Sequence, residues 1–206
     1  MKQGATPVFV ALAFFGIFVA LGLGVSDRPP GALDLAAEAL RGQAIAPATL
    51  FTALGLWYSI VPIAALAIVV SLALRDHVVA FVILAASQSA SQGVVELLKP
   101  FFHRVRPPGS VGYHLADFSY PSGHAVTAIV FYLTLTLLIV RSPVLPRAPK
   151  IVLAMPPAVC VLGIPWSRLA LGAHYFTDVL GGICFGLGWL CLQSVVMQRI
   201  APPRAL

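Results

Sequence analysis

Ser167-Arg168-Leu169-Ala170-Leu171-Gly172-Ala173-His174-Tyr175-Phe176-Thr177-Asp178 is a polar stretch between two long apolar runs. By itself it supports two accounts. His174 and Asp178, four residues apart, share a face of any helix that holds both and can simply bond each other. An arginine, a histidine and an aspartate gathered at a membrane boundary can instead handle an anion. The flanking apolar runs choose the setting, and two polar stretches upstream choose the chemistry.

Of 206 residues, 59% are hydrophobic and 10% charged, with a mean hydropathy of +0.94. A soluble domain would need far more polar residues to cover such a core, so the chain reads as an all-α integral membrane protein with lipid as its solvent. The net charge of +6 does not signal nucleic acid, because the basic residues are scattered between apolar runs and form no solvated stripe. Cys160, Cys184 and Cys191 fall inside apolar segments and read as small buried hydrophobes, not as a disulfide or metal site.

Apolar runs near the spanning length recur six times. The first, about 7–25, follows Lys2 and also fits a signal peptide with Gly22 and Gly24 near a cleavage region. A retained helix is expected, because the run is long for a signal and its removal would leave an odd number of spans. Residues 26–47 read as an external interfacial segment, with Leu33, Ala37 and Leu40 opposite Asp34, Glu38 and Arg41; a solvated loop is the open alternative. The second span, about 48–74, holds Trp57 and Tyr58 nearer the membrane core than an aromatic belt, with a kink at Pro62. Beyond a turn at Arg75-Asp76-His77, the third, about 78–98, carries Gln88, Gln92 and Glu96 on one polar face that points into the bundle. The fourth, about 124–140, precedes a basic, proline-rich loop over 141–150. The fifth, 151–166, reads as short and broken by Pro156, Pro157 and Pro165. The sixth, about 178–197, has Gly182 and Gly186 at a spacing that permits close helix contact. The expectation is one domain over 1–206, a bundle of six transmembrane helices.

Positive charge sets the orientation. The N-terminus, the Arg75 turn, the 141–150 loop and the C-terminus hold Lys2, Arg75, Arg141, Arg147, Lys150, Arg199 and Arg204 against one acid, Asp76. The other side holds Arg28, Arg41, Lys99, Arg104, Arg106 and Arg168, with Asp27, Asp34, Glu38, Asp117 and Asp178. Three of its cations belong to the suspected site. Both termini are therefore expected in the cytoplasm, with the site on the external or periplasmic face of the cell (inner) membrane.

Six spans bring the ends of the third and fifth helices and the starts of the fourth and sixth to one membrane face. There lie Lys99 and Arg106, then Ser122, Gly123 and His124, then Arg168, His174 and Asp178. Lys99, Arg106 and Arg168 supply three cations, two with guanidinium forks that match phosphate oxygens. Ser122 is placed to cap the fourth helix, and Gly123 to present free backbone N–H groups to the same anion. Two histidines can divide phosphoryl transfer between opposite sides of phosphorus. His174 is expected to attack, oriented by Asp178, and His124 to protonate the leaving oxygen and later activate water.

Together Lys99-x6-Arg106-Pro107, Pro121-Ser122-Gly123-His124 and Ser167-Arg168-x5-His174-x3-Asp178 resemble, without a gap, the three-part signature of the type 2 phosphatidic acid phosphatase superfamily. The resemblance covers 99–178 in motif terms and, through the six-span architecture, nearly the whole chain. It implies a metal-independent lipid phosphatase without a cofactor, working through a phosphohistidine, with the roles above at the matching positions.

Glu96, three residues before Lys99, is expected to pair with it as a supporting residue. His103 reads as interfacial, Arg104 as a contact to a second phosphate or a headgroup, and Trp166 as an interfacial anchor. The external loop over 99–122 carries part of the site and adds Tyr113, His114 and Asp117 as candidate substrate contacts. The expected partner is a lipid phosphate: undecaprenyl diphosphate first, phosphatidylglycerophosphate or phosphatidic acid next, a lipid A phosphate third. The alternative is a non-catalytic lipid-binding or transport protein, suggested by the Gln88, Gln92 and Glu96 face.

Overall fold

The computed structural model describes residues 5–109 and 118–200. Tyr113, His114 and Asp117, like Lys2 and Arg204, lie outside the described residues. Within them all regular structure is helical. The order is α1 (Ala5–Val25), α2 (Ala32–Ala37), a 3-10 turn, α3 (Ile45–Leu54), α4 (Trp57–Leu74), α5 (Val78–Phe102), α6 (Gly123–Thr127), a π-helical stretch (Ala128–Leu133), α7 (Thr134–Arg141), α8 (Arg147–Ala170) and α9 (Phe176–Ile200). Residues 123–141 form one continuous span, so the described residues contain six membrane-spanning helices.

The expected spans recur with three corrections. The second is two helices: α3 ends at Leu54 and α4 begins at Trp57, which places Trp57 and Tyr58 at the end of the span and exposed, not nearer the core. The break falls at Gly55, ahead of Pro62, where a side chain is excluded because a Cβ would lie 2.6 Å from the His124 ring. The fifth span is neither short nor broken, since α8 runs 24 residues through Pro156, Pro157 and Pro165. Each proline removes one N–H, but a helix broken in lipid would leave more backbone groups without partners. The third span continues a turn further, to Phe102.

Segment 26–47 corrects the amphipathic reading. Leu33 and Leu35 are exposed while Asp34 is buried, so this segment turns its carboxylate inward. Gly42 N–H donates to the Ala170 carbonyl at 2.8 Å, and α3 packs along α8. The Trp166 ring meets Phe51 of α3 edge-on with centroids 6.2 Å apart.

One aromatic cluster ties α1 to the rest: Phe18 packs with Phe102, Tyr120 and Phe185, and the Tyr120 hydroxyl donates to the Phe18 carbonyl. The glycine spacing in α9 acts as expected. A Cβ on Gly182 would lie 2.5 Å from the Ser122 carbonyl oxygen, and one on Gly186 2.8 Å from Ile129 Cβ. That closeness sets the start of α6 directly on α9.

Candidate active site

Lys99 stands in the last turn of α5, and His103 ends that helix in a left-handed conformation with φ 47°. The chain then turns, leaving Arg104 buried and Arg106 half-buried. Ser119 closes the loop by donating its N–H to the Arg104 carbonyl at 2.8 Å. Glu96 pairs with Lys99 as expected, at 2.8 and 3.0 Å.

His124, the second residue of α6, lies against Gly55 and beside the backbone of Thr52. Its Nε2 is buried with no hydrogen-bond partner among the described residues. Arg168, in the last turn of α8, donates from Nη1 to the Thr52 hydroxyl at 2.6 Å. Thr52 thus touches two expected site residues from a helix in which the sequence reading saw only an apolar span.

His174 follows a turn made possible by Gly172 at φ +61°. Its Nε2 lies 3.0 Å from Arg106 Nη1. A guanidinium only donates, so Nε2 is the acceptor and the ring proton belongs on Nδ1. Nδ1 is 3.5 Å from Asp178 Oδ2, long for a hydrogen bond. Burial, with Arg106, Arg168 and Lys99 around it, holds the His174 imidazole well below the usual histidine range, the Ser119 backbone opposing. Such a ring is neutral at neutral pH, with an unprotonated Nε2 that the Arg106 guanidinium holds in place.

One cavity of about 450 Å³ is lined by Lys99, Arg106, Gly123, His124, Arg168 and His174, with Gln88, Gln92 and Thr127 along the helices. Two expected contributors stand elsewhere. Ser122 precedes α6 but makes no side-chain cap bond; its N–H donates instead to the Asp178 carbonyl at 3.1 Å, and it does not line the cavity. Arg104 reaches no headgroup. It is buried behind His174, where it donates to Asp178 Oδ1 at 2.5 Å and Asp34 Oδ2 at 2.6 Å. Removing one partner from such a buried charge set typically costs about 3–5 kcal/mol. Tyr175 N–H holds the other Asp178 oxygen at 2.9 Å. Among the described residues no group of three His, Cys, Asp or Glu side chains is placed to hold a metal ion.

The family model described as the PAP2 superfamily matches residues 76–201. The chain belongs to this superfamily. This PAP2 chain is 38% identical over 93 residues to phosphatidylglycerophosphatase B of Bacillus subtilis, covering 45% of each protein. It is 31% identical over 114 residues to a lipid A 1-phosphatase of Rhizobium etli, covering 50% of this chain and 44% of that one. It is 30% identical over 125 residues to an undecaprenyl-diphosphatase of Sulfolobus acidocaldarius, covering 61% and 55%. The chain spans about half the length of these curated relatives. Among solved structures, a transmembrane PAP2-type phosphatidylglycerolphosphate phosphatase from Bacillus subtilis superposes with a TM-score of 0.78 at 23% identity, over 95% of this chain and 100% of that one. The PAP2 fold therefore extends to the N-terminal helices beyond the family match.

Proposed function

We propose that the chain is a membrane lipid-phosphate phosphatase that hydrolyses a phosphate monoester or diphosphate of a lipid. The observation that carries this reading is a cavity in which Lys99, Arg106 and Arg168 meet His124 and His174, and whose wall also includes exposed Trp57 and Val61. Three cations around a void suit a phosphate, and a wall exposed to lipid suits a substrate whose chains stay in the bilayer.

In the proposed reaction His174 Nε2 attacks phosphorus while the bond to the leaving oxygen breaks, and His124 gives that oxygen its proton. The N–P bond of the resulting phosphohistidine is then cleaved by water, His124 takes the water's proton, and inorganic phosphate leaves. Lys99, Arg106 and Arg168 hold the phosphoryl oxygens, Gly123 lets the backbone approach them, and Glu96 aims Lys99. Asp178 stabilises the imidazolium formed by attack. Undecaprenyl diphosphate heads the substrate classes, then phosphatidylglycerophosphate or phosphatidic acid, then a lipid A phosphate. The names of the curated relatives support three of these four, phosphatidic acid excepted.

Purified protein presented with those four lipids should release phosphate from at least one, and His174→Ala should lower the rate at least about 10³-fold. No release from any lipid, or equal release by the variant, would leave a non-catalytic lipid-binding protein. The charge asymmetry supports cytoplasmic termini and an outward-facing site. In a background with Cys160, Cys184 and Cys191 replaced, Ser110→Cys should react with an impermeant thiol reagent on intact cells; reaction only after lysis reverses the orientation.

A further inference from the structure

Behind His174 lies a buried charge cluster to which the proposed reaction assigns no part beyond Asp178. Arg104 is 2% exposed, Asp34 2% and Asp178 0%, and the guanidinium bridges the two carboxylates at 2.6 and 2.5 Å. Thr177 closes the cluster, donating its N–H and hydroxyl to Asp34 Oδ1 at 2.9 and 2.8 Å. Arg104 also lies over the Tyr175 ring, 4.5 Å from its centroid. Asp34 sits on α2, outside the residues 76–201 matched by the family model.

We infer that Asp34, acting through Arg104, is a positioning residue for the His174–Asp178 pair. The inference rests on the phosphatase reading and adds to it a residue from the N-terminal segment. One guanidinium shared between two carboxylates leaves one negative charge in the cluster, which a cationic His174 balances. With Asp34 neutral, Arg104 is compensated by Asp178 alone, so less negative charge faces His174 when attack makes its ring cationic. The other groups around His174 all oppose a proton there: Arg106, Arg168 and Lys99 as cations, and His124 when charged. On the far side of Arg104, Tyr175 faces Asp34, Asp178 and Glu38. Asp34 therefore offsets positive charge that would otherwise suppress the ring's basicity.

Asp34→Asn in the purified full chain should lower kcat by about 10-fold or more, by analogy with carboxylates that orient metal-binding histidines, and leave KM within about twofold. The acid limb of kcat/KM should move to lower pH, because loss of an anion lowers the basicity of His174. Asp34→Glu should restore part of kcat, and Leu33→Ala, exposed on the same helix, should match the wild type. Unchanged kcat with an unchanged limb overturns the inference. So does a fall in melting temperature with kcat and KM lost together and no shift of the limb, the mark of a merely structural residue. If Asp34→Asn does not fold, Thr177→Val decides by the same readings. NMR titration of the His174 ring reads the coupling without turnover. An inactive wild type would therefore sink the phosphatase reading, while an unmoved ring titration in Asp34→Asn would sink this one.

Discussion

The two ends of the bundle both bury an aspartate, yet they are built differently. At the end opposite the site, Asp76 accepts from the Ser142 hydroxyl, and His77 Nε2 lies 3.5 Å from its other oxygen. Ser142 Oγ in turn accepts from Leu145 N–H at 3.3 Å. These partners come from two turns, and the adjoining cavity of about 230 Å³ is walled mainly by apolar side chains such as Leu66, Val70, Leu135 and Leu153. At the site end, Asp34 and Asp178 are joined by Arg104, while Lys99, Arg106 and Arg168 line a larger void whose wall also carries apolar side chains. A buried carboxylate is thus no sign of function by itself, because a local hydroxyl can satisfy it. A surplus of one sign around a cavity is the informative feature.

The largest effect should come from breaking that surplus. Arg168→Ala is expected to lower kcat/KM about 10²–10³-fold in the phosphate-release assay, as loss of a transition-state donor does. Arg168→Lys should recover only part, because an ammonium lacks the two-pronged match to phosphate. Full recovery would mean that point charge alone makes the two ends different.

A smaller effect follows from His174. Its folded proton affinity is depressed, so the unfolded chain takes up a proton near pH 6.5 while the folded one does not. The contribution is present above that pH and declines as pH falls toward the folded value. Melting temperature followed against pH should show this loss, and His174→Ala should lack it. Phosphate release should persist through pH 6.5 and fail only at lower pH, since the ring stays neutral. Loss of activity centred at pH 6.5 or above would contradict the cation-surrounded geometry.

The smallest effect belongs to the opposite end. Ser142→Ala should cost about 1.5–3 kcal/mol of stability, the worth of a buried hydrogen bond to a charged group, and leave phosphate release unchanged. A loss of activity comparable to that of Arg168→Ala would erase the distinction between the ends.

Some of this was legible from the chain alone and some was not, for local reasons. Hydropathy exposed the spans because lipid demands long, uncharged runs whatever their neighbours. The pair Glu96 and Lys99 was legible because three residues on a helix fix a contact. Arg104 was misread as a headgroup contact because nothing within its motif separates it from Arg106; its partner Asp34 is 70 residues away. Thr52 was missed for the same reason, since its bond to Arg168 crosses 116 residues. The amphipathic pattern around Asp34 misled because in lipid a leucine prefers the outside and a carboxylate needs a buried partner.

The all-helical membrane character, the six spans and the three polar stretches are written in the chain, each carried by composition or by spacing within one helix. Packing between helices, by contrast, selects which charges face the cavity and which brace it from behind. Gly55 admits the His124 ring and Gly182 admits the start of α6, while Arg104 turns away to join α2 to α9. Those outcomes depend on close approach between helices distant in the chain, and local periodicity carries no record of such contacts.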